Sequence, residues 1–168
     1  MKKIITAIGI ATVFLSSGII KAQVAIGKES LTNGSVLLEF GSEPKGIILP
    51  STASVPGAVG GTFVFNTLSK SLQVMEGTTW THLTDDSQGI LHAYSNTGPD
   101  VGNGVIIGSK TSLKPGILVL ESTSKAMVLP KTANPHLSMK GAIAGTMVYD
   151  TTADMLAVYD GANWSYWK

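Results

Sequence analysis

Neither cysteine nor arginine occurs among the 168 residues. Without cysteine there is no disulfide framework, so an exported form of this chain must be held together by packing or by association. The same absence excludes lipid attachment to a cysteine behind a leader. Without arginine, all twelve basic residues are lysine, and no guanidinium fork is present to grip phosphate. With a near-neutral charge balance, this makes nucleic acid a poor partner. Charged residues are scarce too, at 14%. Glycine, threonine and serine are abundant instead, which suits strands joined by many turns and not a helical bundle. Beyond residue 22 no long amphipathic helical period and no second apolar run of spanning length is found.

Catalytic patterns are equally sparse. The three histidines, His82, His92 and His136, are not paired at metal-ligand spacing, and no local nucleophile motif accompanies them. They read as surface or packing residues. Asp150, Asp154 and Asp160 border turns and read as turn formers, since a calcium site would need more oxygen ligands converging. Gly102, Gly104 and Gly108 do not lead from a strand into a helix, so they do not form a phosphate-binding loop. No catalytic residue, metal site or cofactor is expected.

What is present is a repeat. GTFVFNTLSKSLQVMEGTTWTHL (residues 61–83) and GTMVYDTTADMLAVYDGANWSYW (145–167) align without a gap at an offset of 84. Upstream, Val24–Gly27 matches Val105–Gly108, and GIILP (46–50) matches AMVLP (126–130). Such self-similarity marks duplicated supersecondary units. Each copy reads as an antiparallel meander. In the first, Thr62–Asn66 and Leu72–Met75 are strands around a turn, and Trp80 opens a third. In the second, Asp160-Gly161 is a turn needing positive φ. Upstream, residues 35–40 read as a strand, 41–46 as a turn, and 47–49 as a returning strand stopped by Pro50. Residues 51–60 read as flexible, 90–94 as an extra strand, and 136–139 as a short helix.

The expected organisation is a signal peptide over residues 1–22, β-module 1 over 23–84, a linker over 85–104, and β-module 2 over 105–168. The leader has a basic start (Lys2, Lys3), an apolar run over 4–20, and Ala22 at the cut. An uncleaved membrane anchor is the alternative, since the run is at the short limit for spanning. Three of the twelve lysines lie in the leader, so nine would remain against eleven acids, a net charge of −2. Modules of about 60 residues are marginal alone and should pack on each other or associate between chains.

The order AQVAIG, apolar strand, turn, GIILP, and then GTMVYDTTADMLAVYDGANW resembles exported β-repeat proteins of Gram-negative bacteria. Their modules open on a "VGIGT"-like start and close on a "YDTxxxxLxVYDGxxW" hairpin, which is also similar to segments of phage fibres. Copy two matches at Gly145, Tyr149, Asp150, Thr151, Leu156, Tyr159, Gly161 and Trp164. Copy one departs with Phe65 and Met75 where tyrosine is usual. Ser51 and Lys131 stand where relatives carry arginine. The resemblance implies a fibre-like structural part at the cell surface or outside the cell, self-associating as a trimer, and not an enzyme.

The fold class read here is all-β, in two tandem antiparallel meander modules. The function expected is structural or adhesive, by contact with a surface protein or glycan. The alternative is a glycan-binding module built on Trp164, Tyr166 and Trp167, read as one exposed aromatic strip. Trp80 and Trp164, shared by both copies, read as packing residues.

Overall fold

The computed structural model describes residues 23–41, 43–91, 102 and 104–168. The expected leader, His92 and the 92–94 part of the expected extra strand lie outside these. The described residues are all-β apart from one helical turn. The first half carries β1 (Val24–Ile26), β2 (Val36–Phe40), β3 (Ile47–Ile48), β4 (Ser51–Thr52), β5 (Phe63–Asn66), β6 (Ser71–Glu76) and β7 (Thr79–His82). The second carries β8 (Val105–Ile107), β9 (Leu118–Leu120), β10 (Ala126–Val128), β11 (Lys131–Thr132), α1 (Pro135–Ser138), β12 (Thr146–Asp150), β13 (Met155–Tyr159) and β14 (Trp164–Trp167).

Both meanders form in matching register. Phe63 lies opposite Val74 and Phe65 opposite Leu72. One repeat on, Met147 faces Val158 and Tyr149 faces Leu156. The backbone repeats even where side chains do not. Positive φ recurs at Gly61 and Gly145, Lys70 and Asp154, and Gly77 and Gly161. Glycine at 77 and 161 is required by φ values of 61° and 96° in the tight turn before the last strand. Each meander also gains a parallel strand, β4 on β5 and β11 on β12. Residues 51–52 are therefore strand, where composition alone reads as flexible. The four residues that lengthen the second connection accommodate α1.

The purely antiparallel expectation needs correction. Among the described residues, parallel pairings (β1–β2, β2–β10, β4–β5, β8–β9, β11–β12) are as numerous as antiparallel ones. Looped connections carry the chain back to the same end, giving a solenoid-like course. An alternating apolar pattern has period two in either direction, so it does not report strand direction. The returning strand is corrected in the same way. β3 does not pair with β2 but lies antiparallel on β12, with Ile48 opposite Thr146. Gly46 is needed at this approach, because a Cβ there would sit 2.6 Å from the Thr146 methyl.

The halves interlock. β3 of the first pairs with β12 of the second, and β10 of the second pairs with β2 of the first. One buried cluster joins Leu49, Phe65, Leu72, Val74 and Leu83 to Ala144, Met147 and Val158, with Leu156 partly buried against it. Period-two alternation predicts an inward face of Leu72, Val74, Leu156 and Val158, and these four do face the cluster. Each half supplies apolar area that the other buries, the main favourable term in folding.

Buried Glu39 anchors the loop between β1 and β2. It accepts from Lys28 Nζ at 2.8 Å, Thr32 Oγ1 at 2.6 Å and Thr32 N–H at 2.8 Å. The Lys28 ammonium and the Thr32 donors lower its carboxyl pKa to about 2. Glu121 holds the corresponding loop of the second half through Lys114 and Ser112, which also lower its pKa.

Candidate functional site

The last strand of each meander carries the residues with chemical potential, on the sheet face turned away from the shared core. Strand alternation sets this placement. Trp80 and His82 alternate with Thr81, as Trp164 and Tyr166 alternate with Ser165 and Trp167.

In the first copy, His82 lies in a polar network. Its Nδ1 is 2.5 Å from Asp86 Oδ1 and 3.5 Å from Ser71 Oγ, and its Nε2 is 3.0 Å from Gln73 Nε2. Serine, histidine and aspartate are the three members of a nucleophilic relay, but their connection here is wrong for one. A relay needs the serine on one ring nitrogen and the aspartate on the other. Ser71 and Asp86 address the same nitrogen, and Ser71 is fully buried. The network instead ties β6 and β7 to the segment that leaves the sheet. Asn66 closes the preceding turn by accepting from the Leu68 and Ser69 N–H groups. Trp80 is half-buried beside a shallow depression of about 230 Å³ that also involves Val55, Pro56, Val64 and Asn66.

In the second copy, Tyr166 replaces His82, and the histidine comes from α1. His136 Nδ1 lies 3.0 Å from Tyr166 Oη, with the two rings edge-to-face. Asp150 stands at the Asn66 position, fully buried. It accepts from the N–H groups of Thr152 (2.8 Å), Asn134 (3.1 Å) and Ala153 (3.3 Å). Burial pushes its carboxyl pKa up, but these three donors, together with His136, outweigh burial and leave it lowered. Burial, and then the Asp150 charge, raise the Tyr166 phenol. Asp160 likewise closes its turn by accepting from Ala162 and Asn163 N–H at 2.7 and 2.6 Å. Asp154 accepts from the Tyr149 hydroxyl. These aspartates are turn formers, as their positions predict.

The three C-terminal aromatics do not share a face. Trp164 and Tyr166 are half-buried on the outer face, where Trp164 packs on Tyr159 with ring centres 5.0 Å apart and a 31° tilt. Trp167 is on the opposite face, and its indole N–H donates to the Leu83 carbonyl. The aromatic grouping that does form is Tyr159, Trp164 and Tyr166, with His136 at its margin. Sequence reasoning misses Tyr159 and His136. The signal for Tyr159 is its place opposite Trp164 across the four residues 160–163 that contain the Asp160-Gly161 turn. His136 reaches the site through tertiary packing of a four-residue helix, which no local pattern encodes. Trp80 and Trp164 pack against their own sheets and are not members of the shared core.

Among the described residues, no three His, Asp or Glu side chains gather in a way that could hold a metal ion. No described helix is long and apolar enough to cross a membrane. Compared with models of known protein families, with curated proteins and with solved structures, the chain matches none. The likeness to exported β-repeat proteins therefore rests on the residues quoted for it.

Proposed function

We propose that this is an exported β-repeat protein of the cell surface or extracellular space that serves a structural or adhesive role by contact and not by catalysis. The observation that carries this reading is where its polar groups are spent. Among the described residues, every buried side-chain nitrogen and oxygen has a hydrogen-bond partner. The groups that resemble catalytic machinery, around His82 and Asp150, close turns and link strands. Apolar side chains are meanwhile left in the open, including Ile48, Val105, Leu113, Ile117 and Leu118. Of these, Val105 lies directly beside Leu118 on the β8–β9 pair, and contiguous exposed apolar surface marks interaction sites.

On this reading residues 1–22 are the export signal, and the two meanders are tandem modules of one repeat. The partners are further copies of the chain, a surface protein or a glycan. Nucleic acid is not expected, given the lack of arginine. Beads coated with the purified protein should adhere to cell surfaces above the level of an unrelated β-protein. A specific catalytic turnover abolished by His82→Ala or His136→Ala would overturn the proposal.

A second reading, glycan binding, is favoured by the Tyr159, Trp164 and Tyr166 grouping, because aromatic faces can stack on sugar rings. It predicts saturable quenching of tryptophan fluorescence by a glycan, lost in Trp164→Ala. Unchanged binding in that variant would remove it.

A further inference from the structure

We infer that the chain assembles head to tail with copies of itself, by strand pairings that repeat between chains those already made between its two halves. This rests on the contact role proposed above and names the partner as a second copy.

The argument starts from the third strand of each half, β3 in the first and β10 in the second, which occupy equivalent repeat positions (GIILP and AMVLP). Ala126 N–H of β10 donates to the Ser35 carbonyl at the start of β2. Period-two alternation then directs Ala126 and Val128 at β2 and Met127 away from it. Leu49 N–H, just after β3, donates to the Gly145 carbonyl, so Ile47 and Leu49 face β12 while Gly46 and Ile48 face outward. By repeat position, Gly46 and Ile48 are the counterparts of Ala126 and Val128. The outward edge of β3 is thus the edge that β10 uses to bind β2. In this repeat the third strand has two edges, one for the module before it and one for the module after it. β10 shows the first use and β3 the second.

The counterpart of β2 in the second half is β9. Val105 N–H donates to the Ile117 carbonyl and Glu121 N–H to the Ile107 carbonyl, so the odd-numbered residues around β9 face β8. The backbone groups of Leu118 and Leu120 point to the other edge, where no third strand lies among the described residues. β2 is a central strand with Val36, Leu37, Leu38 and Glu39 all buried, whereas Leu118 of β9 is exposed beside Val105 and Ile117. The counterpart of β12 is β5. Among the described residues, its Phe63 edge, equivalent to the Met147 edge that receives Ile47, carries only β4, further along at Phe65 and Asn66.

A second copy completes both edges. Its β3 lies parallel on β9 of the first copy, as β10 lies on β2. The first copy's β10 lies antiparallel on the second copy's β5, as β3 lies on β12. Donor and acceptor surfaces differ, so the contact is heterologous. It leaves a free β3 and β5 at one end and a free β9 and β10 at the other. Open strand edges are templates for such pairing.

Proline at an outward position removes an edge donor without removing an N–H that the chain's own sheet uses. Sedimentation velocity over a wide concentration range, on protein purified from cells expressing the full chain, tests the inference with Leu118→Pro and Ile48→Pro. The wild type should form concentration-dependent oligomers without a fixed upper size. Each variant should associate about tenfold more weakly or not at all, as expected for loss of an edge hydrogen bond. An equimolar mixture should then give two-chain species and nothing larger, because one variant keeps a working head and the other a working tail. Circular dichroism and thermal melting establish that each variant is folded. Leu118→Lys, which blocks the edge by charge, replaces any proline variant that is not. A wild type that stays monomeric, oligomers indifferent to both substitutions, or a mixture that fails to pair would overturn head-to-tail assembly. The contact role is read separately, from adhesion of beads carrying the Leu118→Pro protein. If they still adhere, that role survives a failure of the assembly.

Discussion

The indole N–H of Trp167 donates to the carbonyl of Leu83 at 2.6 Å, and these two residues occupy the same position in the two copies of the repeat. The ends of the two meanders thus meet where their sequences correspond. Trp167 is 41% exposed, so its role combines partial packing with one directed bond between the halves. Trp167→Phe keeps most of the ring and removes the donor. It should cost about 0.5–1.5 kcal/mol, the net value of an ordinary hydrogen bond. Urea denaturation monitored by circular dichroism reads this, and an unchanged midpoint would show that the contact does not stabilise the interlocked halves.

Leu72 and Leu156 are repeat equivalents in unequal surroundings. Leu72 is fully buried, while Leu156 is only partly covered. Leu72→Ala should cost about 2–5 kcal/mol and Leu156→Ala on the order of 1–2 kcal/mol, since the cavity left at the rim is partly open to solvent. Equal losses in parallel denaturation curves would mean that the two meanders are buried alike.

Glu39 makes stability depend on acidity. Its pKa falls from 4.5 in the unfolded chain to about 2 in the folded protein. A lowered folded-state value means that its contribution is complete above the unfolded value and is lost as the pH falls through the folded one. The melting temperature of the wild type should exceed that of Glu39→Gln at neutral pH. The gap should close between about pH 4.5 and pH 2. Glu121 acts in the same direction. A gap that persists at pH 2 would contradict the pairing with Lys28 and Thr32.

Lys70 and Asp154 both adopt left-handed backbone, with φ of 51° and 53°. For a side chain with no local hydrogen bond this conformation is strained, and glycine relieves it. Lys70→Gly should stabilise by about 0.5–1 kcal/mol. Asp154→Gly should gain less, because aspartate tolerates this conformation and Asp154 accepts from the Tyr149 hydroxyl. A destabilised Lys70→Gly protein would show that the lysine side chain contributes more than its backbone costs.

Residue order alone determined the repeat, the meanders and their turns. Gly77 and Gly161, Asn66 and Asp150, and the alternation that sends Leu72 and Val158 inward are local signals, set by steric limits on φ and by period-two side-chain direction. The helical turn was legible to within a residue, read over 136–139 and found over Pro135–Ser138. Only the tertiary structure decided strand direction, the partners of β3 and β10, the split of Trp164 and Tyr166 from Trp167, and the arrival of His136 beside Tyr166. These depend on where loops return the chain and on which apolar faces can cover one another. Alternating apolar residues report a buried face but not what buries it, so the interlocking of the halves came from packing between segments far apart in sequence.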